Sequence, residues 1–105
     1  YDKALEYHNK GLEIIKNVLG ENHPDTAMSY NNIGIVYRYL KDYNKALEQF
    51  NKALEIFKKV LGKSHPYTKQ TIQNIEIIKQ LLEESQGKTE EPKKKKGFWS
   101  KLFGK

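Results

Sequence analysis

The sequence predicts an all-α fold of antiparallel helix pairs, a fragment of an α-solenoid that ends in a flexible basic tail. Two observations carry this prediction. Sliding the chain by 42 positions lays YDKALEYHNKGLEIIKNVLGENHPDT, from Tyr1, on YNKALEQFNKALEIFKKVLGKSHPYT, from Tyr43, and about half of the overlapping positions are identical. Self-similarity at a fixed period is the mark of one supersecondary unit stacked on copies of itself. Within the one complete unit, Asn22 to Gly62, apolar and small residues recur at three- and four-residue spacing on both sides of a polar break at Leu40-Lys41-Asp42-Tyr43. That pattern describes two helices, each with one buried stripe.

The first helix is expected over residues 2–19, matching the second half of the unit and closed by Gly20, which suits a left-handed cap. Its own partner helix is absent, and the chain opens without Met inside a repeat, so earlier repeats are expected upstream of Tyr1. The flank bearing Leu5, Leu12 and Ile15 is expected to lie open and to offer a route to homo-association.

A second helix, 24–40, begins at Asn22-His23-Pro24-Asp25, where a capping side chain, a proline in the first turn and an acid near the positive helix end coincide. Its stripe is Tyr30, Ile33, Gly34 and Tyr37. The turn at Lys41-Asp42 is short enough to fold the third helix, 43–61, back antiparallel. There Ala46, Leu47, Phe50, Ala53, Leu54, Phe57 and Leu61 form the stripe, with Gly34, Ala46 and Ala53 small where helices approach.

The fourth helix, 66–84, starts with the same signal at Ser64-His65-Pro66. His23 and His65 are therefore the same cap one repeat apart, rather than metal ligands or an acid–base pair. Glu76 stands where Gly34 stood, and Gln70, Gln73 and Gln80 appear. Such polar drift suits a terminal helix, one face of which meets no further repeat. Residues 1–84 thus make the repeat domain.

Residues 85–92, SQGKTEEP, are polar and aperiodic and read as a flexible linker. The tail, 93–105, follows with Lys93, Lys94, Lys95 and Lys96 and then GFWSKLFGK. If that segment turns helical, Phe98, Trp99, Leu102 and Phe103 fall on one side of it.

The net charge of +6 belongs to this tail. Residues 88–105 hold seven lysines against Glu90 and Glu91, so the repeat body is almost neutral, and nucleic acid is not an expected partner of its helices. With no cysteine, disulfides and thiolate metal sites are excluded. No glycine-rich phosphate loop, HExxH or GxSxG motif occurs, so neither catalytic residues nor a cofactor nor a metal is expected. Glu13, Glu48 and Glu55 fall at the spacing of an exposed helix face beside Lys10, Lys16, Lys52 and Lys58. No run is long and apolar enough to span a bilayer. A cytoplasmic location is expected, on the cytoplasmic membrane face if the tail binds there.

The segment YNNIGIVYRYLKDYNKALEQFNKAL resembles the tetratricopeptide repeat. Tyr30 replaces that family's usual tryptophan, and Gly34, Tyr37, Asp42, Tyr43, Ala46, Phe50 and Ala53 follow at the family's spacings; the likeness extends over residues 1–84. The second helix runs on through Lys58-Lys59-Val60-Leu61-Gly62 to His65-Pro66, which is similar to the 42-residue variant of kinesin light chains and many bacterial repeat proteins. The resemblance implies a protein–protein interaction scaffold with a concave groove lined by the first helix of each pair. It puts the peptide-binding positions on Asn31, Asn32, Ile35, Arg38, Tyr39, Gln73, Asn74, Ile77 and Gln80. Asn32 and Asn74 match asparagines that hold a peptide backbone in related repeats, and Arg38 would pair with an acidic side chain of the ligand. Kinesin light chains take acidic, tryptophan-bearing peptides on the corresponding surface, whereas here one arginine supplies the charge.

For the tail, three roles follow from the residues. The lysine run with its aromatic face is a reversible anchor on an anionic membrane; alternatively the lysines are an import signal or nucleic-acid contact, or FWSKLF docks in the protein's own groove.

Overall fold

A computed structural model describes residues 2–86. They form four helices, α1 (Asp2–Leu19), α2 (Pro24–Tyr39), α3 (Tyr43–Leu61) and α4 (Pro66–Gln86), with no strand among the described residues. Each helix packs on the one before it, which is the order of a stack of helix pairs. Helix ends depart slightly from expectation. Leu40 caps α2 instead of continuing it, its N–H still reaching Val36 O at 3.0 Å, and α4 runs two residues further than position 84. Ser85 therefore belongs to α4 rather than to a linker, its hydroxyl donating back to Leu82 O at 3.3 Å. Residues 87–105, including the remainder of the expected linker and the whole tail, lie outside the described residues.

The joints between pairs repeat closely. Gly20 and Gly62 adopt φ of +93° and +90°, a region that only glycine enters without strain. Thr26, fully buried, donates its hydroxyl to Gly20 O at 2.7 Å, and Thr68, also fully buried, donates to Gly62 O at 2.8 Å. At the start of α2 the Asp25 N–H donates to Nδ1 of His23 at 3.0 Å, and at the start of α4 the Tyr67 N–H donates to Nδ1 of His65 at 3.0 Å. Both histidines thus serve as caps, with a bare Nδ1 in the place of the usual carboxylate or hydroxyl oxygen. The turn from α2 to α3 is tighter. Lys41 sits at φ 65°, and the Asp42 N–H returns to Tyr37 O at 2.9 Å.

Two apolar clusters hold the pairs together. Ala27 and Tyr30 of α2 meet Ala53, Ile56 and Phe57 of α3, with Leu12 of α1 packed against them. Ala46 and Phe50 of α3 meet Ile75 and Ile78 of α4, with Ile35, Tyr37, Leu47 and Leu54 at the margin. The stripe residues read from the sequence are all buried or half-buried, and Ile56, Ile75 and Ile78, which three- and four-residue spacing did not single out, join the clusters.

The open flank of α1 is different from the one expected. Leu5, Leu12 and Ile15 are half-buried, because they stand where Leu47, Leu54 and Phe57 stand on α3, on the side facing the next pair. The exposed large apolar residues of α1 are Tyr7, Ile14, Val18 and Leu19. Ile14 is 63% exposed whereas its counterpart Ile56 is 4% exposed, since α2 covers that face of α3.

Candidate peptide-binding groove

Helices α2 and α4 are the first members of successive pairs, so residues 42 apart occupy equivalent places on them. Asn32 and Asn74 are one such couple, and Ile35 and Ile77 another. Asn32 and Asn74 are both half-buried. Ile35 packs at the margin of the second apolar cluster, while Ile77 is 38% exposed. Tyr39 is 60% exposed, Arg38 is half-buried in the last turn of α2, and Gln73 and Gln80 are exposed on α4. Asn31 differs from the rest: it is only 9% exposed.

The structure joins three of the α2 and α4 side chains directly. Oδ1 of Asn31 accepts from Nδ2 of Asn74 at 3.3 Å and lies 3.4 Å from Oγ1 of Thr71. The Thr71 hydroxyl has one proton, and its shorter bond runs to Tyr67 O at 3.0 Å, so Asn74 is the main donor to Asn31. Thr71 is fully buried and was not singled out from the sequence, although Ser29 at the equivalent position of α2 marks it as a recurring hydroxyl. Next to Asn32, Ser29 and the α1 residues Tyr7, His8, Gly11, Ile14 and Ile15 enclose a hollow of about 440 Å³.

A second polar node sits beside the first apolar cluster. The Tyr30 hydroxyl donates to Oε2 of Glu21 at 3.1 Å, Lys16 Nζ stands 3.7 Å from Oε1 of the same carboxylate, and Lys52 Nζ lies 5.5 Å from the ring centre. Burial, and then the bond to Glu21, push the Tyr30 hydroxyl above the ordinary tyrosine range. The Lys16 ammonium is likewise held up by the charges of Tyr30 and Glu21. With Asn22, Glu55, Ile56 and Lys59 this node borders an open hollow of about 450 Å³.

Among the described residues no group of three or more His, Asp or Glu is placed to hold a metal ion, and no helix is long and apolar enough to cross a membrane. The expected membrane contacts, Lys93, Lys94, Lys95, Lys96, Phe98, Trp99, Leu102 and Phe103, lie outside the described residues.

Antiparallel helix pairs linked by a repeated joint define an all-α repeat scaffold. The sequence model of the tetratricopeptide repeat matches residues 1–59, and the chain belongs to that family. No curated protein matches it. Repeats of this family are non-enzymatic scaffolds that mediate protein–protein interaction.

Proposed function

We propose that this chain holds an extended, acidic peptide of a partner protein along α2 and α4, and that its tail tethers the complex to an anionic membrane surface. The observation that carries the first half is the row of equivalent residues on successive first helices. Asn32 and Asn74 supply groups that both donate and accept, Ile35, Tyr39 and Ile77 supply apolar contact, and Arg38 supplies the charge. Binding would be read by NMR titration of the chain with a capped hexapeptide of leucine and aspartate. Shifts concentrated at Asn32, Ile35, Arg38, Asn74 and Ile77 are expected, and Arg38→Ala should weaken binding by about 1.5–3 kcal/mol, the worth of a charge-assisted hydrogen bond. Shifts elsewhere, or none, would remove the groove from consideration.

The tail carries the second half through composition. Four adjacent lysines each contribute about 1 kcal/mol near an anionic leaflet, and an aromatic face beside them supplies the apolar insertion that stable anchoring usually also requires. The location proposed is the cytoplasmic membrane face. Sedimentation with anionic and neutral vesicles separates this from an import signal or a tail docked in its own groove. The anchor requires binding to anionic vesicles, weaker binding to neutral ones, and loss of both in Trp99→Ala with Phe103→Ala.

A further inference from the structure

We infer that this chain binds a second copy of itself head to tail, the outer face of α4 on one copy receiving the outer face of α1 on the next. The two faces belong to opposite kinds of helix. Helix α4 is equivalent to α2, and α1 is equivalent to α3, so α4 of one copy with α1 of another remakes the α2–α3 pair. Both faces carry open apolar residues: on α1, Ile14 is 63% exposed and Val18 73%, and on α4, Ile72 is 37% exposed. Within the α2–α3 pair, Ile56 and Tyr30, which correspond to Ile14 and Ile72, are buried in one cluster.

A second copy is singled out as the occupant by the way substitutions between repeats pair off. Gly34 lies against the ring of Phe50, and their counterparts are Glu76 and His8. A larger side chain on α4 thus meets a smaller ring on α1, and an imidazole N–H can donate to the carboxylate. Ala27 and Ala53 share the first cluster, and their counterparts are Lys69 and Gly11. Nothing lies within 4 Å of where a Gly11 Cβ would stand, which leaves room for the lysine stem. Asn31 lies 3.3 Å from Asn74 and 3.4 Å from Thr71, and the counterparts of these three are Gln73, Asn32 and Ser29. Gln73 is a methylene longer than Asn31, and Ser29 lacks the methyl of Thr71. In each case one face gives up what the other gains. The receiving side is already open, since the hollow of about 440 Å³ beside Asn32 is bounded by His8, Gly11, Ile14 and Ser29. Because the two faces differ, the contact is heterologous, and a pair of copies keeps one open α1 and one open α4 to continue the series.

The inference does not rest on the peptide groove, and sedimentation equilibrium of the full chain without peptide or lipid tests it. The mean mass should rise with concentration past that of a pair. Ile14→Asp and Ile72→Asp, each at an exposed site, should weaken association about tenfold or more, since each would bury an unpaired carboxylate. Circular dichroism checks that both variants remain helical. Mixed together, they should form a one-to-one complex and stop there, because each supplies the face that the other lacks. His8→Glu should weaken association about three- to tenfold by setting like charges together, and Glu76→Lys in the same chain should restore it. A chain that stays monomeric at every concentration overturns the inference. Association that survives Ile14→Asp assigns the contact to another surface and overturns it too. So does a mixture of the two variants that stays monomeric while the unsubstituted chain associates, or a loss in His8→Glu that Glu76→Lys does not recover.

Discussion

A Cβ placed on Gly34 would stand 2.7 Å from Cε1 of Phe50. Phe50 is fully buried between α2 and the cluster that reaches α4, so its ring has nowhere to withdraw. Gly34→Ala gains about 1 kcal/mol of helix propensity but meets an overpacking cost of about 1–3 kcal/mol, so it should destabilise on balance. Gly34→Leu should cost more. Gly11 is the control, since nothing lies within 4 Å of its Cβ position, and Gly11→Ala should stabilise by about 0.5–1 kcal/mol. Urea denaturation of the three variants measures the contrast, and equal effects at Gly34 and Gly11 would show that the helices do not approach as described.

The paired joints make a second prediction. Thr26→Val and Thr68→Val each keep shape while removing a buried donor to a glycine carbonyl. Each should cost about 1–3 kcal/mol, because the carbonyl loses its partner. Since the two bonds match to a tenth of an ångström, the two costs should agree within error. A large inequality in melting experiments would mean that the joints are not equivalent in solution.

Stability should fall in alkali through the Tyr30 node. The folded-state hydroxyl titrates above the ordinary tyrosine value of 10.0, so the folded chain holds this proton more tightly than the unfolded chain. Its contribution is complete below about pH 10 and is lost as pH rises from there through the folded-state value. The raised Lys16 ammonium acts in the same sense. Tyr30→Phe should leave a flatter stability profile between about pH 9 and pH 11, and a profile as steep as that of the unsubstituted chain would show that the loss does not come from this hydroxyl.

Histidine capping can be weighed directly. His23→Ala removes the acceptor for the Asp25 N–H and should cost about 0.5–2 kcal/mol, whereas His23→Asn, a stronger capping residue, should cost little. The same pair of changes at His65 should behave alike. Amide exchange at Asp25 and Tyr67 reports each cap separately.

Most of the fold was legible because a period of 42 residues compares the chain with itself. Helix boundaries fell within two residues, as capping residues and glycines mark ends well. Ile56 was missed because it lies off the narrow stripe and is covered only once α2 crosses α3. The open side of α1 was misplaced for a related reason. Apolar residues occur on two sides of that helix, and spacing alone does not say which side meets α2. For the groove, the register of Asn32 and Asn74 could be read by shifting the chain, but the bond from Asn74 to Asn31 depends on how two helices cross and leaves no local trace. The Tyr30–Glu21 bond was equally hidden, because Lys63 stands at the place equivalent to Glu21 and breaks the repeat there.

The joint copied at Gly20 and Gly62 separates two properties that one helix would otherwise have to serve together. From α2 to α4 the chain exchanges Gly34 for Glu76 and Tyr30 for Ile72, yet the glycine conformation, threonine bond and histidine cap that introduce the helix are unchanged. The angle at which each helix sets out is therefore governed by residues at the joint and not by those along the helix body. Substitutions along the body of a helix can change its faces while its starting angle stays the same.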